Sequence, residues 1–151
     1  MGRSAVTEYW LALLLRVVGG VCLLALLPLW MPRGWIVAGH RWLGWGPFPE
    51  RPVAEYLARS VSALSAFYGG LLVVLATDVR RYAPVIRYQA AAIMLLSVSG
   101  VVVGSWAGMP EWFLGGDSIA CCTYCGGILL LVRRVERSNA EQSAATSRSC
   151  R

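Results

Sequence analysis

The sequence predicts an all-α protein: an integral membrane four-helix bundle with an interfacial amphipathic helix between spans one and two. Three observations predict it. Four apolar runs, residues 10–30, 56–77, 85–106 and 112–132, are each 21 or 22 residues long, close to the roughly 20 that a helix needs to cross the hydrocarbon core of a bilayer. Hydrophobic residues make up 57% of the 151-residue chain and charged residues only 15%, which is too apolar for a soluble domain of this size. Between the first two runs lies a segment with helical periodicity and tryptophans on one side. One membrane domain, residues 1–135, accounts for almost the whole chain, and the loops are too short to hold a second core. Any function therefore sits in the bundle or on its rim.

The first run is longer than the apolar region of a signal peptide and three more spans follow it, so it reads as an uncleaved helix. The Met-Gly start is no myristoylation signal, because Val6 stands where Ser or Thr is required. Arg16 lies inside this span, where it is expected to snorkel to the headgroups or to pair with Asp78. From Arg33 to Gly46 the chain is amphipathic at 100° per residue. Trp35, Ile36, Gly39, Trp42, Leu43 and Gly46 share one side; Arg33, His40, Arg41 and Gly44 share the other, and Val37 is the misfit. This helix is expected to lie flat on the outer leaflet, as an anchor or as a lid over a ligand. The Gly-Pro-Phe-Pro-Glu-Arg-Pro stretch at 46–52 cannot be helical and returns the chain to the second span.

In that span Glu55, Arg59, Ser62, Ala66 and Gly70 fall on one stripe, which should face protein because it carries the polar and small residues. Glu55 and Arg59 stand in the favourable order for an i,i+4 ion pair. The third span carries Gly100 and Gly104 at GxxxG spacing with Gly108 continuing the row, a seam for close helix packing within the chain or between two copies. In the fourth span Asp117 is the only embedded acid. Its depth resembles that of Arg59, so the two are candidates for a buried pair, read either as structural, orienting two helices, or as functional, since an intramembrane acid is a functional candidate by default. Cys121, Cys122 and Cys125 also lie mid-span. Cys122 and Cys125 have CxxC spacing, but no second ligand pair accompanies them, so the reading is small apolar packing residues and no metal site. Residues 136–151, rich in Ser, Ala and charge, are expected to form a disordered cytoplasmic tail.

Orientation follows from charge. All 14 basic residues are arginines, which favours a GC-rich bacterial genome, and they flank the spans without forming the single basic face that nucleic-acid binding needs. With four spans, Arg3, Arg80, Arg81, Arg87, Arg133, Arg134, Arg137, Arg148 and Arg151 share one side. Only Arg33, Arg41, Arg51 and Arg59 occupy the other. The positive-inside rule then places both termini in the cytoplasm of a bacterium, with the chain in the inner membrane. Six of the seven tryptophans fall at the outer interface, which is where indoles prefer to sit.

His40-Arg41-Trp42-Leu43-Gly44, Pro47-Phe48-Pro49-Glu50, Glu55-Tyr56-Leu57-Ala58-Arg59-Ser60 and Asp78-Val79-Arg80-Arg81-Tyr82 resemble the motifs of a group of small bacterial four-span membrane proteins that carries no assigned activity. The chain is more loosely similar, by size and span count, to the DoxX-like four-helix membrane proteins, some of which are associated with quinone-linked redox chemistry; that likeness assigns no residue a role. Two function classes follow. One is a non-enzymatic subunit or scaffold that binds lipid and other membrane proteins, or itself through the Gly100/Gly104 seam. The other is a binding or redox protein for a quinone or another lipid-like molecule near the outer leaflet, with His40, Arg41, Glu55, Arg59 and Asp117 as polar contacts. A transporter or channel ranks third, because four spans with so few embedded charges need a second copy to enclose a path.

Overall fold

The computed structural model of the chain describes residues 3–45 and 47–149, with side chains for 5–45, 47–138 and 140. Six helices follow one another: α1 (Arg3–Leu23), α2 (Leu26–Trp30), α3 (Arg33–Trp42), α4 (Pro52–Leu75), α5 (Ala83–Trp106) and α6 (Glu111–Ser149). No strand occurs among the described residues. Four stretches are long and apolar enough to cross a membrane: Ala5–Trp30, Pro52–Leu75, Ala83–Trp106 and Glu111–Ser138.

The first of these stretches is broken. Pro28 has no N–H to give and its ring clashes with the carbonyl four residues back, so the helix cannot run through Leu24 unchanged. The chain instead tightens at Leu24 and Ala25, where Ala25 N–H reaches Cys22 O at 3.1 Å, before α2 resumes. The amphipathic helix is shorter than the sequence reading expects and ends at Trp42. Gly44 adopts φ +73°, its N–H bonds Arg41 O, and Trp45 N–H reaches back to His40 O. That is the glycine-terminated Schellman end. The same device closes α5: Gly108 has φ +72°, with Gly108 N–H on Ser105 O and Met109 N–H on Gly104 O. Gly108 is therefore a turn residue and does not extend the GxxxG row. At the far end, α6 continues to Ser149 through the segment where the sequence reading expects an irregular tail. Residues 136–149 contain neither Gly nor Pro, and Ala, Glu, Gln and Arg favour helix.

The chain divides into two compact units, Met1–Leu14 with Leu75–Arg151, and Leu15–Val74. In the first unit α5 and α6 pack antiparallel. Gly104 faces Leu114, where a Cβ would strike the leucine side chain; Cys121 Sγ lies 3.9 Å from Ile93 O; and Arg87 pairs with Glu136 at 3.2 Å. Ala83, Ile86 and Ala90 of α5 are buried, as are Cys125, Ile128, Val132 and Val135 of α6. Gly100, by contrast, faces open space. In the second unit α1 and α4 cross at glycine. A Cβ on Gly69 would lie 2.6 Å from Gly19 O, and one on Gly19 would lie 2.8 Å from Gly69 O. The contact stripe of α4 thus passes from Ala66 to Gly69, and Gly70, expected on it, faces open space.

Candidate functional site at the junction of the first two spans

Of the polar residues nominated from the sequence, Glu55 and Arg59 come together within the second unit, and backbone chemistry explains it. α2 ends at Trp30, followed by Met31 and then Pro32, so the last carbonyls of the first span have no N–H ahead of them to accept from. Arg59, two turns into α4, supplies the donors. Its Nη1 donates to Leu29 O and its Nη2 to Met31 O at 3.1 Å. Glu55 balances the charge from one turn earlier, with Oε1 accepting from Arg59 Nε at 3.2 Å and Nη2 at 2.8 Å. The expected i,i+4 pair therefore forms and serves a purpose the sequence reading does not assign. A guanidinium fits this place because its planar fork carries five N–H donors and favours a helix C-terminus electrostatically.

Arg59 is thus committed within its own unit, to Glu55 and two carbonyls. Asp117, in the other unit, is exposed on α6. His40, placed on the polar face of α3, is half-buried between aromatic rings. Its imidazole centroid lies 5.4 Å from Trp45 at 74° and 5.4 Å from Phe48 at 83°, the edge-to-face arrangement that aromatic pairs prefer. These contacts fold the Pro-rich return back along α3, and Arg33 Nη2 to Glu50 O at 3.3 Å reinforces them. Arg41 is exposed. The misfit Val37 is half-buried beside Ile36, whereas Trp35 and Trp42 are 69% and 86% exposed. The tryptophan side of α3 is therefore free to enter a lipid interface while its aliphatic side packs inward.

The first unit carries a further ion pair that the sequence reading does not assign. Arg80 Nη2 meets Glu8 Oε1 at 2.6 Å, which raises the Arg80 guanidinium further above its ordinary range through a direct hydrogen bond and charge attraction. Asp78 Oδ1 caps the turn by accepting Arg81 N–H at 3.0 Å, and the Arg81 guanidinium lies 5.8 Å from the Tyr82 ring. The cysteines also pair differently. Cys121 and Cys125, one turn apart, bring their sulfurs to 3.9 Å, while Cys122 is exposed. The amide of Gln89, 7% exposed in α5, has neither nitrogen nor oxygen hydrogen-bonded.

No known protein family, curated protein or solved structure matches this chain. Its own geometry is what bears on function.

Proposed function

We propose that this protein is a small, non-enzymatic multi-pass subunit or scaffold of a bacterial inner membrane, with both termini in the cytoplasm. The observation that carries the reading is the disposition of Arg59. An arginine poised for a ligand keeps donors aimed into open space; this one spends them on Leu29 O, Met31 O and Glu55. The charged pair at the outer end serves to close the broken first span onto the second. His40 is packed by Trp45 and Phe48 in the same structural manner. What remains for function is the exterior, where Trp30, Trp42 and Trp106 are each more than four-fifths exposed and lipid and partner helices bind. The cytoplasmic placement of the termini rests on the arginine distribution.

The reading is tested by purifying the chain from its native membrane in mild detergent and recording native mass spectra of wild type and Arg59→Gln. The scaffold reading expects a bare chain, or the chain with another protein bound. A stoichiometric lipid-like mass, such as a quinone, that Arg59→Gln removes would contradict it and favour the ligand-binding alternative.

A further inference from the structure

The sulfurs of Cys121 and Cys125 are 3.9 Å apart on one face of α6, and neither is in a disulfide. Oxidation does not suit this pair. Residues four apart on a helix hold their Cβ atoms about 5–6 Å apart, whereas a disulfide requires about 3.5–4.5 Å. Bridging them would unwind the turn, and α6 is continuous there. Metal ligation asks for no such change. With metal–sulfur bonds of about 2.3 Å, a 3.9 Å separation subtends about 116° at the metal, close to the tetrahedral angle of about 109°.

Two thiols alone make an incomplete site, and no group of three or more His, Cys, Asp and Glu side chains gathers among the described residues. The further ligand comes from α5. The contact of Cys121 with Ile93 O sets the antiparallel register, and one turn along each helix from it brings Cys125 level with Gln89. Both residues are buried, and both polar atoms of the Gln89 amide lack a hydrogen-bond partner. An unsatisfied amide in such a place is costly, and a ligand on its oxygen removes part of that cost.

We propose that Cys121, Cys125 and Gln89 form a site between α5 and α6 for a soft divalent d10 cation of the zinc and cadmium type. Binding is an exchange in which the cation forms two metal–sulfur bonds, the two S–H bonds break, and two protons leave to solvent. A divalent charge with two thiolates is neutral overall, the only form that low-dielectric surroundings accept without a large penalty. Gln89 Oε1 adds a neutral oxygen ligand, and one coordination position stays open. The exposed Cys122 takes no part.

The test uses the full chain in detergent micelles, titrated with Cd²⁺ and followed by the ultraviolet sulfur-to-metal charge-transfer band and by proton release in weak buffer. The expected result is one metal and two protons per chain. Cys121→Ser and Cys125→Ser should each weaken binding at least about 100-fold and Gln89→Leu about 10-fold, in line with losses on removing supporting groups at metal sites, while Cys122→Ser leaves binding unchanged. If a cysteine variant loses helical content, the wild type decides: Cd²⁺ should protect Cys121 and Cys125, but not Cys122, from a membrane-permeant maleimide. Absence of binding by a folded chain, equal dependence on Cys122, or no protection of Cys121 and Cys125 would overturn the site. Unchanged affinity in Gln89→Leu would overturn the role of the amide.

Discussion

Replacing Arg59 with Met keeps the aliphatic stem of the side chain and deletes its donors, so its cost can be assembled from the partners that are lost. Leu29 O and Met31 O lose their hydrogen bonds. Interhelical hydrogen bonds in membranes average about 0.6 kcal/mol and reach about 1.7, so the two together contribute about 1–3 kcal/mol. Glu55, with 27% of its side chain exposed, is left without its cation, which adds about 1 kcal/mol for a partly buried charged acceptor. The sum is about 2–4 kcal/mol. Arg59→Lys retains the charge but not the fork, and should cost about half as much. Glu55→Gln on the Arg59→Met background should recover about 1 kcal/mol, because it removes the stranded charge. Reversible unfolding in mixed micelles, titrated with a denaturing detergent and followed by circular dichroism, measures all three. A loss under about 0.5 kcal/mol for Arg59→Met, or complete recovery by Glu55→Gln, would refute the clamp, since the carbonyl bonds would then contribute nothing.

Other outcomes follow from the same structure. Gly69→Ala should destabilise by about 1–3 kcal/mol, because its Cβ enters the backbone of α1 and overpacking forces the helices apart; the neighbouring Gly70→Ala, which faces open space, should be neutral or slightly stabilising in the same unfolding assay. Reversing either charge of the Glu8 and Arg80 pair should lower the melting temperature, and the double reversal should restore it. Because Glu8 raises the Arg80 guanidinium, that pair's contribution is present below the arginine's ordinary range and is lost only as pH rises beyond it, so melting temperatures across neutral pH should not respond to Arg80 titration. If α3 lies flat on the leaflet, then in single-tryptophan variants reconstituted in vesicles the exposed Trp35 and Trp42 should be quenched more strongly by lipids brominated near the headgroup than by lipids brominated at the chain ends.

The spans were legible because their signal is additive: some twenty apolar residues in a row outweigh any local irregularity. The Glu55 and Arg59 pair was legible for a similar reason, since i,i+4 spacing needs no tertiary knowledge. Where Arg59 sends its remaining donors was not, because the partners are carbonyls and backbone carries no sequence label. One available signal was Pro32, which stands just past the end of α2, cannot continue it, and so leaves those carbonyls in need of donors. The early end of α3 could have been read from Gly44, since a glycine after a periodic run marks a helix terminus; periodicity instead carried the helix to Gly46. Gly108 was absorbed into a GxxxG row for the same reason. His40 looked polar by residue type, yet Trp45 and Phe48 enclose it, and only the fold of the Pro-rich return brings them there. The cysteines show the limit of motif spacing. CxxC drew attention to Cys122 and Cys125, whereas a continuous helix aligns residues four apart and selects Cys121 and Cys125.

The most direct test of the claim that Arg59 is a clamp is nitrogen NMR of its guanidinium in the purified chain before and after exhaustive removal of bound lipid. The account predicts slowly exchanging Arg59 Nε–H and Nη–H signals, held by Glu55 and by the Leu29 and Met31 carbonyls and unchanged by delipidation. Signals that collapse into fast exchange once lipid is stripped away would show that a bound molecule had been their partner, and would contradict it.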